Sequence, residues 1–511
     1  MSVTPSIAEL PLTIHEAASE LRKRSISATE LVEAALSRAD QLDEQLHVYA
    51  TRFDDTARAA AGAADNDFAR GVDRGALQGL PTGIKDMIFT KEAPTRAGSE
   101  VRNAAWQQLR DATVVARLRA AGAVIIGKTT TAELAIGVPD AAYLPRETRN
   151  PWNPARWAGG SSAGSGAGVA ARMFFGGVGT DTGGSVRIPA AYCGVVGLRP
   201  TFRRLPRHGV IPLAQSLDVV GPLARTALDI ALLLQAMTGA GRGRRPNFSV
   251  QLGRSIRGLR VGVARAHHTD RRAAGADVAA RFEDAVAALK QAGAVVRDIE
   301  LPHYDAGVNA VLVTILAEGC AEYRQELRRQ WGMFAPATRR SLSNGFLLSA
   351  ADLVAAQRAL DTVKREVTRL YQTLDLIVCL TTVTVAPELA ALSLDELTES
   401  ICTDCWSAVG NPVLSVPIGF SDEGMPIGMQ IAGRRLDEMT VIQAADAYQR
   451  LTEWHLRLPA VGPSHVAADM PASREHESHS VSASGRGALS GPVRKARANS
   501  CTTPGTTPGS A

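Results

Sequence analysis

Twice the chain runs from a helix through one glycine into a short apolar strand, and this succession restricts the possible folds more than any other feature. Residues 113–121 have helical spacing, Gly122 stops the helix, and Ala123-Val124-Ile125-Ile126 follows as a strand. The same order returns at residues 279–292, Gly293 and residues 294–296. Helices alternating with strands bury their apolar faces as layers, so the chain reads as an α/β protein. Two helices are predicted between residues 13 and 46. Ile14, Ala17, Ala18 and Leu21 share a face of the first, and Ser27-Ala28-Thr29-Glu30 forms a capping box opening the second. Strands are expected at 413–418 and 427–431 and a last helix at 438–451, with no fixed-period repeat.

The 511 residues are 45% hydrophobic and 21% charged, which excludes a wholly disordered, collagen-like or disulfide-scaffold protein. From residue 463 onward Ser, Gly, Pro, Thr and Ala dominate and aromatics vanish. Such a segment buries too little apolar surface to offset its ordering entropy. The folded domain is therefore expected over residues 1–462, with helices over about 10–50, followed by a disordered tail over 463–511. The net charge of +5 and an aromatic content of 5% nominate no nucleic acid. Arg242, Arg244, Arg245, Arg254 and Arg257 read as a solvated connection between two lobes. With no leader-like N-terminus and no apolar run long enough to span a bilayer, a cytoplasmic protein without membrane contact is expected. Six scattered cysteines fit a reducing compartment, and Cys402 and Cys405, a C-x-x-C with no second ligand pair, read as structural thiols rather than a metal site.

Two motif matches fail on context. Gly122-Ala123-Val124-Ile125-Ile126-Gly127-Lys128-Thr129 satisfies a phosphate-loop expression, but a strand stands where the loop should be. Gly166-Ala167-Gly168-Val169-Ala170-Ala171 satisfies a dinucleotide fingerprint, but a proline-broken loop precedes it instead of a strand. No cofactor is expected.

The chemistry concentrates in Gly159-Gly160-Ser161-Ser162-Ala163-Gly164-Ser165-Gly166-Ala167-Gly168, leading into a helix over 169–173, and in Gly179-Thr180-Asp181-Thr182-Gly183-Gly184-Ser185-Val186-Arg187-Ile188-Pro189. A flexible linker would not place Asp181 and Arg187 around Thr-Gly-Gly-Ser. Glycines ahead of a serine let backbone N–H groups converge on one point, as an oxyanion hole requires. A serine nucleophile needs a base, and none of the ten histidines sits in a motif. Lys85, in Gly79-Leu80-Pro81-Thr82-Gly83-Ile84-Lys85-Asp86, is the better candidate. At an ordinary pKa of about 10.4, roughly one lysine in a few thousand is neutral at pH 7, so a lysine base must be buried.

Together with Tyr192-Cys193-Gly194-Val195-Val196-Gly197-Leu198-Arg199-Pro200-Thr201 and Gly410-Asn411-Pro412-Val413, these runs resemble the amidase signature family from Leu10 to about His455. The resemblance implies a mixed twisted β-sheet flanked by helices on both faces, and a Ser–cis-Ser–Lys triad. By motif position Ser185 is the nucleophile, Ser161 the bridging serine beside a cis peptide, and Lys85 the base. Thr182, Gly183, Gly184 and Ser185 would supply oxyanion N–H groups. Asp181 and Arg187 would hold the loop in shape, and two roles fit Ser162, proton delivery or structural support.

The implied activity is hydrolysis of a small-molecule amide at a linear C–N bond, with esters and carbamates equivalent in the attack and a homodimer allowed. Alternatives are the transamidating subunit that makes Gln-tRNA, and a non-catalytic binding protein. The stretch Thr129-Thr130-Thr131-Ala132-Glu133-Leu134 departs from the Asn and Asp usual in the transamidating subunit, and this favours a stand-alone hydrolase. Substrate specificity is expected from residues 320–400 and 402–411, with Trp406 either lining a pocket or packing in the core.

Overall fold

Strand runs with no polar face, such as Val124-Ile125-Ile126, need cover on both sides, and a large central sheet provides it. The computed structural model describes residues 10–138, 147–239, 246–266, 268–269 and 274–462. The proposed tail at 463–511 lies outside the described residues, as do Arg242, Arg244 and Arg245. In chain order the strands are β1 (Tyr49–Arg52), β2 (Pro81–Lys85), β3 (Val124–Thr129), β4 (Arg149–Asn150), β5 (Asn153–Trp157), β6 (Gly176–Asp181) and β7 (Val196–Arg199). They continue with β8 (Val219–Ala224), β9 (Arg260–Val263), β10 (Val295–Asp298), β11 (Leu376–Leu380), β12 (Val413–Phe420) and β13 (Pro426–Gly433). Eleven strands form one sheet in the order β1-β3-β2-β6-β8-β7-β12-β13-β11-β9-β10, and β4 and β5 pair separately. β2 runs parallel to β3 and β6, and β9 parallel to β10 and β11; the remaining neighbours are antiparallel. The result is the mixed α/β sheet flanked by helices that was expected.

The first two helices are Ile14–Lys23 and Ala28–Leu46, and each opens on a capping box, Thr13 with Glu16 and Ser27 with Glu30. Gly122 follows the helix Thr113–Ala120 at φ +85° and packs against Gln78, where a Cβ would lie 2.7 Å from its Cα. The Gly-Lys-Thr of the false phosphate loop is the buried end of β3. Lys128 points inward and pairs with Asp86 at 2.8 Å. Among the described residues no helix is long and apolar enough to cross a membrane.

One element starts earlier than its apolar residues suggest. The helix Ala163–Ala170 begins inside the Gly/Ser run and ends where residues 169–173 were expected to be helical. Propensity disfavours so many glycines in a helix, but close packing overrides it. A Cβ at Gly168 would lie 2.1 Å from Phe174 Cζ, and one at Gly164 2.4 Å from the carbonyl oxygen of Val48. The chain then reverses through Arg172 at φ +61° and enters β6.

The register places the chemistry. Thr82 pairs with Gly176 and Ile84 with Val178 in the parallel β2–β6 ladder, so Lys85 and the loop after Asp181 leave the same end of the sheet. Gly168→Ala is expected to lower stability by about 1–3 kcal/mol through overpacking against Phe174, measured by urea unfolding.

Candidate active site

β2 delivers Lys85 to the end of the sheet with its side chain fully buried. Its Nζ lies 2.7 Å from Ser161 Oγ and 2.8 Å from Thr180 Oγ1. Ser161 follows a cis peptide bond with Gly160. Burial pulls the Lys85 pKa down to about 7, against the opposing pull of the Asp181 and Asp218 carboxylates. A lysine in this setting is neutral in a large fraction of molecules at physiological pH.

Ser185 sits half-buried in the loop that follows β6. Its carbonyl accepts the Ser162 N–H at 3.1 Å. Its hydroxyl makes no hydrogen bond among the described residues, so the Ser161–Ser185 link of a proton relay is not formed in this structure. Ser162 clamps the backbone of Thr180 from both sides: its Oγ donates to the carbonyl at 3.1 Å and accepts the N–H at 3.3 Å.

Asp181 organises the turn. Its carboxylate accepts the N–H of Gly184 at 3.0 Å and of Val186 at 3.2 Å. Arg187 grips both oxygens at 3.0 Å, and Arg199 Nη1 adds a contact to Oδ1 at 2.9 Å. Burial alone would raise the Asp181 pKa, but Arg187 and Arg199 hold it well below the usual carboxylate range. Arg187 is anchored in turn by the Thr403 carbonyl at 2.9 Å, Gln430 Oε1 at 2.8 Å and Ser407 Oγ at 3.0 Å.

This arrangement narrows the oxyanion set expected from sequence. The Gly184 N–H already serves Asp181, since the turn uses it to fix its own shape. The N–H groups of Thr182, Gly183 and Ser185 make no hydrogen bond among the described residues. The Thr182 hydroxyl is turned away to Asp218, at 2.7 Å.

A cavity of about 190 Å³ opens beside the loop, bounded by Thr180 and Thr182 on one side and by Met87, Ala135, Ile211 and Leu213 on another. The stretch 320–411, where specificity was expected, lines a different cavity of about 350 Å³ through Gln357, Leu360, Ser407 and Val409. Trp406 is fully buried and donates to Cys379 Sγ at 3.3 Å, so it packs in the core. Cys402 and Cys405 are buried, and burial pushes the Cys405 thiol up, away from reactivity. Among the described residues no group of His, Cys, Asp or Glu is arranged to hold a metal.

Thr180, Arg199, Asp218, Thr403 and Gln430 are site residues that sequence reading did not single out. Thr180 and Arg199 lie inside quoted motifs, so their positions carried a signal. Thr403 falls within the 402–411 stretch, whereas Asp218 and Gln430 belong to no local pattern and meet the site through tertiary contacts alone.

Removing one partner of a buried ion pair leaves the other charge uncompensated. Arg187→Leu is therefore expected to cost about 3–5 kcal/mol, read as a lower midpoint in chemical unfolding. Lys85 behaves oppositely. Its folded pKa of about 7 lies below its unfolded value near 10.5, so the native state holds fewer protons, and the destabilisation is complete below about 7 and gone above 10.5. Lys85→Met is expected to raise the thermal midpoint at neutral pH, by scanning calorimetry.

Comparison with known proteins agrees with the geometry. The chain is 38% identical over 481 residues to a Glutamyl-tRNA(Gln) amidotransferase subunit of Roseiflexus sp. (strain RS-1), covering 88% of this chain and 98% of that protein. A solved structure from work on a vestigial protein complex and the origins of an s-triazine catabolic enzyme matches with a TM-score of 0.80 at 30% identity, over 86% of this chain and 98% of that one. The structure of 6-aminohexanoate cyclic dimer hydrolase complexed with substrate matches with a TM-score of 0.79 at 26% identity, over 88% and 99%. Residues 30–442 match the Amidase family, and the chain belongs to that family, the amidase signature enzymes.

Proposed function

We propose that this protein hydrolyses a carboxylic amide to acid and amine through an acyl-enzyme on Ser185. The observation that carries the reading is Lys85, fully buried, 2.7 Å from Ser161 Oγ and with its pKa brought to about 7. Neutral Lys85 takes the proton of Ser161 as Ser161 takes that of Ser185, and Ser185 Oγ attacks the carbonyl carbon. The Thr182, Gly183 and Ser185 N–H groups receive the charge developing on the carbonyl oxygen. Collapse of the tetrahedral adduct breaks the C–N bond, and the relay returns a proton to the leaving amine. Water, deprotonated through the same relay, then releases the acid.

The 190 Å³ cavity suits a compact organic group on the substrate. A linear C–N bond is the proposed target, and the buried thiols Cys193, Cys320, Cys379 and Cys405 fit a cytoplasmic setting.

A second reading is an amidotransferase subunit, favoured by 38% identity over 98% of the Roseiflexus protein. The two share attack on an amide and differ in the fate of the nitrogen, so release of ammonia from glutamine, beside a panel of small amides, separates them. A non-catalytic binding protein would turn over neither.

Intact mass after a fluorophosphonate is the direct test. One adduct on wild type and none on Ser185→Ala is expected, with amide turnover in the variant down by about a thousandfold or more. An equal adduct on both proteins would sink the nucleophile assignment. On wild type, kcat/KM should rise with pH through about 7 as Lys85 loses its proton, then level off.

A further inference from the structure

Asp218 closes the turn 213–218 immediately before β8 and lines the cavity. Its carboxylate is buried, yet it makes no ion pair among the described residues. Three neutral donors satisfy it instead. Leu213 N–H reaches Oδ2 at 2.9 Å, Ala214 N–H lies 3.1 Å from Oδ2 and 3.2 Å from Oδ1, and Thr182 Oγ1 donates to Oδ1 at 2.7 Å. The first two bonds shape the turn from which Leu213 faces the cavity. The third crosses to Thr182, the residue that opens Thr182-Gly183-Gly184-Ser185. One carboxylate thus ties the wall of the cavity to the loop that carries Ser185.

We propose that Asp218 is a positioning residue for the reaction, holding the Thr182–Ser185 loop and the cavity wall in one fixed relation. This rests on the reading of Ser185 as nucleophile. A loop whose backbone N–H groups must meet a developing oxyanion gains from being held before the substrate arrives, because no reorganisation is then needed at the moment of reaction. Asp181 fixes the far side of the loop through Gly184 and Val186, and Asp218 fixes its entry through Thr182.

Asp218 also acts at a distance. Burial raises the Asp218 pKa against the pull of its three donors, and in its carboxylate form it is one of two groups, with Asp181, that oppose the effect of burial on Lys85. The charged and titratable groups around it are Lys85 from β2, Asp181 from β6, Arg199 from β7, Arg207 from the loop before it, and Tyr323 after the helix Tyr304–Glu322. A neutral residue at this position should make Lys85 easier to deprotonate.

Two variants separate the roles. Thr182→Val removes the hydroxyl and leaves the charge, so kcat should fall about tenfold with KM within about twofold and the acid limb of kcat/KM unmoved, and Thr182→Ser should restore kcat. Asp218→Asn keeps the shape but sets an amide N–H against the backbone donors, so kcat should fall at least about tenfold and the acid limb should shift to lower pH. A wild-type kcat in Thr182→Val overturns the proposal, as does an unmoved acid limb in a folded, weakened Asp218→Asn. Ser185→Ala serves as the control. If it turns over amide like wild type, the nucleophile reading itself has failed, whatever the Thr182 variants show.

Discussion

The buried carboxylate of Asp181 is the interaction on which the rest of the site depends. It stands at the end of a central strand and receives two backbone N–H groups from the turn that follows and two guanidinium groups from Arg187 and Arg199. Without the arginines a carboxylate this deep would be protonated and would lose its hold on the turn. Without the carboxylate two arginines would be buried with like charges side by side. The three groups are therefore stable only as a set, and the set dictates the path of the chain from Asp181 to Val186. Because Arg187 continues to Thr403, Ser407 and Gln430, that path is also braced from the other half of the sheet.

Lys85 is set up by the opposite principle. Among the described residues nothing anionic touches its Nζ; two hydroxyls and a carbonyl do. On the neighbouring strand β3, Lys128 is equally buried but bonded to the Asp86 carboxylate. The contrast shows that the fold is able to provide a counterion at this depth and provides none at Lys85. Desolvation without a partner is the usual way to obtain a neutral amine near pH 7.

Much of this was legible in the sequence because it is encoded locally. The capping box at Ser27 and Glu30, the helix stop at Gly122 and the strands around 124 and 413 follow from periodicity and backbone preference, and they stand where expected. Of the two glycine and serine runs, the second forms the tight turn after β6, while the first continues into the helix Ala163–Ala170. What stayed hidden depends on partners far along the chain. The early start of the helix at Ala163 is explained only by Phe174 and Val48 pressing on its glycines. The capture of the Gly184 N–H by Asp181 reduces the donors that the sequence motif offers, and the cavity beside the loop gathers residues as far apart as Met87 and Val220. Periodicity carries no information about such distant meetings.

The split origin of the site has an evolutionary consequence. The scaffold that fixes the turn at Ser185 reaches to Thr403, Ser407 and Gln430, while Met87, Ala135 and Val210 on the cavity wall make no hydrogen bond or ion pair with Asp181, Arg187 or Arg199 among the described residues. Side chains on the wall are thus free to drift in size and polarity while the charged frame stays intact. A lineage built this way would diversify its chemistry by resurfacing one chamber, and its members would keep the same backbone turn across very different diets.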